Sequence, residues 1–314
     1  MTLSLALAVF GVWEVAQTDF LRDASGDDPL VFLHRAGGAR WPQNSRTAVL
    51  GALQHFGSQP ADARFDGLEV DLVLTSDGVP VLAHDPWVHT ELCTTVAGAR
   101  ISERRLIKEM DLGVLQSDYL CGGVEDPEFS GIKPVAETVM TFDELLVALV
   151  DAPELALYLD IKIDEGRTAS GSDYASAVMS RWRDASLPNR LFVEVPHAVD
   201  VQAFAAQGVE GVRLLLSYPP FPADGEWTRD ALAVRWATLF GFSSPVPAAE
   251  EAGAHGVVSP TAVLPWRAVR KAADQEIGAV LFSVNDAKDL ARRCDWPLLG
   301  VITDYPDLGG CPGG

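Results

Sequence analysis

Residues 67–85, GLEVDLVLTSDGVPVLAHD, decide how this chain folds. Two apolar runs flank Asp77-Gly78, a dipeptide typical of the turn in a β-hairpin. Glu69 and Asp71 lie two residues apart on the first run, so on a strand both side chains point to the same face. Two carboxylates side by side among apolar residues are costly unless a cation lies between them. Carboxylate oxygens suit Mg²⁺ or Ca²⁺, and the stretch therefore predicts a metal site.

The second apolar run ends in His84 and Asp85. A tight turn at Asp77-Gly78 lays this run antiparallel to the first and brings His84 roughly opposite Asp71. The pattern therefore predicts an imidazole beside the metal site. A half-buried surface hairpin, with solvated acids on its outer face, is the alternative interpretation of the same residues.

Length and composition limit the class of protein. The chain has 314 residues, which fits one large domain or two ordinary ones, and 48% of them are hydrophobic. With 24 basic against 44 acidic residues, the formal charge is -20. This charge argues against nucleic acid as a partner and against tight adsorption to anionic membranes. An anionic substrate has to be met by local positive charge or by a metal.

The first 28 residues are set apart from the predicted domain, which spans residues 29–314. Residues 1–13, MTLSLALAVFGVW, are apolar but too few to cross a membrane, so no stable membrane insertion is expected. They are similar to the apolar core of a signal peptide, although a basic segment and a clean cleavage site are missing. Export is the expectation; a helix packed on a cytoplasmic domain is the alternative.

The four cysteines form no CxxC motif and have no histidines at zinc-ligand spacing. In an exported chain an even number favours disulfides. The preferred pairs are Cys93–Cys121 and Cys294–Cys311, because each pair flanks one local segment. Unpaired thiols in a cytosolic protein are the alternative.

Apolar runs separated by helix-like segments indicate eight strands, which begin at or near Leu30, Gly67, Leu155, Arg190, Val212, Gly256, Ala279 and Gly300. Eight β-then-α units predict an α/β fold, a closed (β/α)8 barrel with the hairpin as a small insertion after strand 2. An open doubly wound sheet is the alternative, but no GxGxxG follows the first strand.

Several helices are also expected. Thr141, followed three residues later by Glu144, forms a capping box ahead of an apolar helix. The long irregular stretch 86–134 is expected to contain a helix at Ser102–Leu112, and residues 230–239 are expected to be helical.

Polar residues collect where the predicted strands end, which is where barrels of this kind carry their active sites. They are His34, Arg35, Glu69, Asp71, Asp160, Lys162, His197, Asn285 and Asp304. Of these, Asn285 and Asp304 are expected to order the rim, and His197 is expected to stand apart from the chemistry. Trp41 and Trp87 are candidates for lining a substrate pocket.

The ordered motifs of the chain resemble the glycerophosphodiester phosphodiesterase family. They are His34-Arg35, Pro42-Gln43-Asn44, Glu69-Val70-Asp71, the run from Asp77 to Pro86, Asp160-Ile161-Lys162, Val284-Asn285 and Thr303-Asp304-Tyr305-Pro306. Single pieces are common, but the ordered set is specific and spans nearly the whole chain. The resemblance implies a TIM barrel that hydrolyses a glycerophosphodiester to glycerol phosphate and an alcohol.

The resemblance also implies roles for individual residues. His34 and His84 would be the general acid and base. Glu69, Asp71 and Asp160 would hold one divalent cation, Mg²⁺ or Ca²⁺. Arg35 and Lys162 would bind the substrate phosphate.

Two positions depart from the family's pattern. Gln43 stands where the family usually has Glu, and Asp160 is one methylene shorter than the usual Glu, as in the related sphingomyelinase-D-like enzymes. A lysophospholipase-D-like or sphingomyelinase-D-like enzyme is therefore one alternative, distinguished by an apolar groove beside the site. A non-catalytic barrel that binds phospholipid head groups is another.

Overall fold

The structure, a computed structural model, describes residues 29–60, 63–219, 232–233, 236–238, 240 and 244–311. The predicted N-terminal segment lies outside these residues, as do five of the ten residues of the helix expected at 230–239. Within the described part of the chain, no helix is both long and apolar enough to cross a membrane.

The described strands, in chain order, are β1 (Leu30–Leu33), β2 (Gly67–Leu74), β3 (Pro80–Leu82), β4 (Cys93–Thr95), β5 (Tyr119–Cys121), β6 (Ala156–Ile161), β7 (Leu191–Val195), β8 (Val212–Ser217), β9 (Gly256–Pro260), β10 (Gly278–Phe282) and β11 (Gly300–Thr303). Strands β1, β2 and β6 to β11 are parallel, and β1 pairs with β2 on one side and β11 on the other. The sheet is therefore closed. The predicted (β/α)8 barrel is confirmed, and the open sheet is excluded.

The described α-helices are α1 (Arg46–Ser58), α2 (Leu112–Asp118), α3 (Phe142–Leu149), α4 (Gly171–Ala185), α5 (Ala198–Ala205), α6 (Val246–Ala252), α7 (Trp266–Ala273) and α8 (Ala287–Cys294). Helix α3 begins with the predicted capping box: Thr141 accepts from the Glu144 N–H, and the Glu144 side chain accepts from the Thr141 N–H. Apart from α2, these helices connect successive barrel strands and pack on the outside of the sheet.

The predicted hairpin forms, with a register shifted by one residue. Strand β3 runs antiparallel to β2, and the Ala83 N–H donates to the Asp71 carbonyl at 3.1 Å. Ala83 therefore lies opposite Asp71, and His84 lies one residue beyond. The shift arises because Thr75 pairs with Val79, which leaves three residues in the turn rather than two.

Residues 86–139, which we call the insertion, fold back over the carboxyl end of the barrel. Strands β4 and β5 pair there, and the Cys93–Cys121 disulfide joins them. The helix predicted at Ser102–Leu112 is wrong, because α2 begins at Leu112, where the Asp111 side chain accepts from the Val114 N–H. A second disulfide, Cys294–Cys311, links α8 to the C-terminal segment. Both disulfide pairings agree with the prediction.

Aromatic rings fill the barrel interior below the site. The ring of Phe32 contacts Tyr158 edge-on at a centroid distance of 5.0 Å and Phe192 at 5.2 Å. Gly67 and Gly300 leave room for this ring, since a Cβ on either would lie 2.7 or 2.8 Å from its carbon atoms. The amino end of the barrel is thus closed by packing.

Candidate active site

Three neighbouring strands bring the predicted residues together. Strand β2 lies between β1 and β6, with Asp71 paired in register to Asp160. Leu33 and Leu68 are also paired, which places His34 and Glu69 at the same level of the barrel. The carboxyl ends of parallel strands meet at one end of the barrel, so residues distant in sequence converge there.

Glu69, Asp71 and Asp160 form an acidic cluster at the centre of the site. One carboxylate oxygen of each lies within 4.8 Å of the others. Glu69 and Asp71 are almost completely buried, at 1% and 0% exposure, while the Asp160 side chain is 23% exposed. Three convergent carboxylates with one side open to solvent are a suitable ligand set for a hard divalent cation, which commonly keeps water in its remaining positions.

Electrostatics at this cluster favour a bound cation. Burial raises the pKa of Glu69 well above its usual range, and the charges of Asp71 and Asp160 raise it further. The Arg35 N–H opposes this by donating to Glu69 Oε2 at 2.6 Å. Without a cation, Glu69 therefore tends to hold a proton, whereas a divalent ion would favour its ionised form.

Two basic side chains contact the acids. The Lys162 ammonium lies 2.8 Å from Asp71 Oδ1 and 2.5 Å from Asp160 Oδ2. Burial acts against its charge, but the two carboxylates hold the pKa of Lys162 above its usual range. Arg35 Nε lies 3.4 Å from Asp71 Oδ2. Burial also opposes ionisation of Asp71, yet Lys162, His84 and Arg35 keep its pKa below the usual range.

His34 is oriented by the last strand of the barrel. Its Nδ1 lies 2.6 Å from Asp304 Oδ1, and its Nε2 lies 3.9 Å from Glu69 Oε2. Asn285 fixes Asp304 by donating from Nδ2 to Oδ2 and by accepting the Asp304 N–H at 2.9 Å. Asn285 and Asp304 were expected to order the rim; their position shows how, because they hold one nitrogen of His34 and leave the other facing the acids.

His84 approaches from the hairpin side. Its Nδ1 lies 2.9 Å from Asp85 Oδ1, and His89 lies 3.4 Å from the other oxygen of Asp85. Burial lowers the pKa of His84, and Lys162 adds to this effect, while Asp71 and Asp85 oppose it. The net effect favours the neutral imidazole, the form that accepts a proton.

Gln43 has a clear role in the structure. Its Oε1 accepts from Arg35 Nη1 at 2.5 Å, and its Nε2 donates to Asp126 Oδ2 at 2.8 Å. A glutamate at this position would present a second carboxylate to Asp126. The departure from the family's pattern is thus matched by Asp126 on the insertion. Asn44 next to it binds Asp71 twice, through Nδ2 at 2.6 Å and through Oδ1 at 3.1 Å.

Sequence reasoning missed Glu194. This residue lies on β7, paired in register with Asp160, and accepts hydrogen bonds from Tyr158 at 2.8 Å and Ser217 at 2.7 Å. Burial raises the pKa of Glu194 to about 8, and Asp160 contributes to the increase. A lone acid in the apolar run LFVEV was the available signal, of the same kind that identified Glu69 and Asp71.

The other candidates are placed as follows. Trp87 lines the cavity beside the site, but Trp41 packs against Gly37 and Gly51 on the side of α1. His197 is exposed at the start of α5. His255 lies at the opposite end of the barrel, where its Nδ1 accepts the Leu214 N–H at 3.1 Å.

The comparison with protein families agrees with this geometry. Residues 34–308 match the glycerophosphoryl diester phosphodiesterase family. The chain belongs to this family. The match covers every residue of the acidic cluster and both histidines, and it confirms the resemblance that the motifs indicated.

Solved structures support the fold assignment. A candidate glycerophosphoryl diester phosphodiesterase from Silicibacter pomeroyi superposes with a TM-score of 0.74 at 20% identity, over 90% of this chain and 92% of that one. A phosphodiesterase from Oleispira antarctica, in complex with the product sn-glycerol-3-phosphate, gives 0.65 at 18% identity, over 89% and 94%. At this identity the likeness shows a shared fold.

Among curated relatives, an uncharacterized protein of Mycobacterium tuberculosis is 27% identical over 161 residues. The matched segment is 51% of this chain and 47% of that protein, so the chain matches about half the length of this relative.

Proposed function

We propose that this protein is a metal-dependent phosphodiesterase that hydrolyses glycerophosphodiesters to glycerol phosphate and an alcohol. The observation that carries this proposal is the acidic cluster of Glu69, Asp71 and Asp160 with two carboxylate-oriented histidines at one end of a barrel of this family. The non-catalytic alternative has no support in the site, because all five of these side chains converge and the Gln43 departure is compensated by Asp126.

Glu69, Asp71 and Asp160 would hold the cation, Mg²⁺ or Ca²⁺. When bound, this ion neutralises the phosphate charge and lowers the barrier to attack on phosphorus. Lys162 and Arg35 add positive charge beside the cluster, where they would bind the non-bridging oxygens of the diester.

The two histidines divide the proton transfers. His84, which its surroundings favour as the neutral imidazole, would accept a proton of the attacking water molecule as the new phosphorus–oxygen bond forms. His34 would donate a proton from Nε2 to the leaving oxygen as its bond to phosphorus breaks. Asp304, on Nδ1, fixes the orientation of His34.

We also propose that the protein is exported. The two disulfides support this location, because such bonds persist in oxidising compartments.

Hydrolysis of glycerophosphocholine tests the proposed activity. Release of choline should stop when a chelator is added and return with Mg²⁺ or Ca²⁺. If no phosphodiester is hydrolysed under any metal condition, the proposal is wrong.

A further inference from the structure

A cavity of about 320 Å³ lies between the barrel and the insertion, beside the candidate active site. Arg35, Asn44 and His84, which belong to the site, also line this cavity. A substrate whose phosphate lies at Arg35 can therefore extend one of its arms into the cavity without leaving the protein.

The deep walls of the cavity are apolar. Leu82, Val88, Ile107 and Leu115 line it, and each is at most 3% exposed. Val88, Ile107 and Leu115 belong to a small hydrophobic cluster that the insertion shares with β2 and β3. Buried apolar side chains that line a cavity form a binding surface for an apolar ligand.

The charged groups that line the cavity already have protein partners or lie at its rim. Asp85 is paired with His84 and His89, Asp126 accepts from the side-chain amide of Gln43, and Glu137 accepts from the Thr47 N–H at 2.9 Å. The Glu128 side chain is 59% exposed, and Glu91 is exposed as well. The structure therefore does not require a cationic group, such as choline, to compensate charge inside the cavity.

We infer that this cavity binds a single aliphatic chain on one arm of the phosphodiester, so that the substrate class is a lysophospholipid-like diester. The volume is roughly twice that of a cavity of about 150 Å³ that holds benzene, so a chain of several carbon atoms fits. Cys93 and Cys121 also line the cavity, and their disulfide fixes this wall. The inference rests on the proposed phosphodiesterase function, whose site it extends.

Binding of three phosphate monoesters, measured by titration calorimetry in the presence of Mg²⁺, tests the inference without turnover. Octyl phosphate should bind at least about tenfold more tightly than ethyl phosphate, with a more negative heat-capacity change, since each buried methylene contributes to affinity. Equal affinity of the two alkyl phosphates would overturn the inference. So would choline phosphate binding as tightly as octyl phosphate, because the cavity would then bind a cation.

Kinetics on 1-octanoyl- and 1-butyryl-glycerophosphocholine give a second test. The ratio of their kcat/KM values should be roughly ten or more in the unaltered protein. Leu92→Trp and, separately, Val124→Trp fill the cavity from two partly buried positions and should bring the ratio below about three. Val147→Trp, at a side chain 73% exposed and outside the cavity, is the matched control and should leave the ratio unchanged.

The outcomes separate the two proposals. Hydrolysis of both substrates at equal kcat/KM would refute the aliphatic chain and leave the phosphodiesterase function standing. Tight octyl phosphate binding without hydrolysis of any diester would refute the proposed function while supporting the cavity's occupant.

Discussion

The amino end of the barrel interior holds Phe32 on β1, whereas the carboxyl end holds His34 two residues further along the same chain. His34 directly follows β1, and both side chains point inward, in keeping with the two-residue repeat of the strand. Phe32 is fully buried against two other rings, and His34 faces the acids with an 18% exposed side chain. On β6 and β7, likewise, an inward aromatic residue is followed two positions later by an inward acid: Tyr158 by Asp160, and Phe192 by Glu194. The packed interior and the candidate site are therefore only two residues apart on each of these strands.

The largest expected effect is on activity at the carboxyl end. His34→Ala and His84→Ala should each lower kcat/KM by about 10²–10⁴-fold, the range for losing a general acid or base, with little change in thermal stability. Diester hydrolysis and thermal melting measure the two quantities. His197→Ala, at an exposed histidine outside the cluster, is the control. Near-normal rates in either site variant would show that the acid and base assignment is wrong.

A substitution at Phe32, at the amino end of the barrel, should affect stability rather than activity. Phe32→Ala removes a ring from the closed end of the barrel and should lower the free energy of unfolding by about 3–5 kcal/mol. Denaturant titration measures this loss. Leu50→Ala, at a side chain 51% exposed, should change it by less than about 0.5 kcal/mol. If Phe32→Ala abolished activity without destabilising the protein, the assignment of stability to the amino end and of activity to the carboxyl end would be wrong.

Protonation of His255, at the amino end of the barrel, should make the unfolding free energy depend on pH. Burial lowers its pKa to about 4, below the usual value of 6.5. The folded state therefore favours the neutral ring. The resulting stability is fully present above pH 6.5 and is lost as the pH falls from 6.5 towards 4. The loss should be about 3 kcal/mol more than in His255→Asn, which keeps an acceptor for the Leu214 N–H. If the unfolding free energies of the two proteins fell by equal amounts between pH 6.5 and 4, this expectation would be wrong.

Gln43→Glu tests the contact between Gln43 and Asp126 at the carboxyl end, with a smaller expected effect. The change replaces the donor to Asp126 with a second carboxylate and should cost about 1–2 kcal/mol in unfolding free energy. The double variant Gln43→Glu with Asp126→Asn restores a donor and an acceptor, and should recover most of the loss. A double-mutant cycle without coupling between the two positions would show that the contact is unimportant.

Much of the fold was predictable, because the information is local. Apolar runs gave the eight strands, and Thr141 with Glu144 gave the start of α3. The insertion was less predictable. Residues 102–111 contain only the short turn Ile107–Glu109, because Ile107 and Met110 pack onto the cluster shared with β2 and β3, and Asp111 caps the next helix. The hairpin register was also not predictable, because the turn contains three residues, whereas the Asp-Gly pair indicates a turn of two.

The candidate site also has features that the sequence predicted and features that it did not. The sequence by itself predicted which side chains converge at the candidate site, since two inward carboxylates, two histidines and a lysine lie at strand ends in a specific order. Only the tertiary structure decided how they are held: Asp304 on His34, Asp126 on Gln43, Glu194 beside Asp160, and an apolar cavity under the insertion. Residue type and strand period are properties of short segments, whereas these contacts join positions up to 270 residues apart and exist only because the barrel closes.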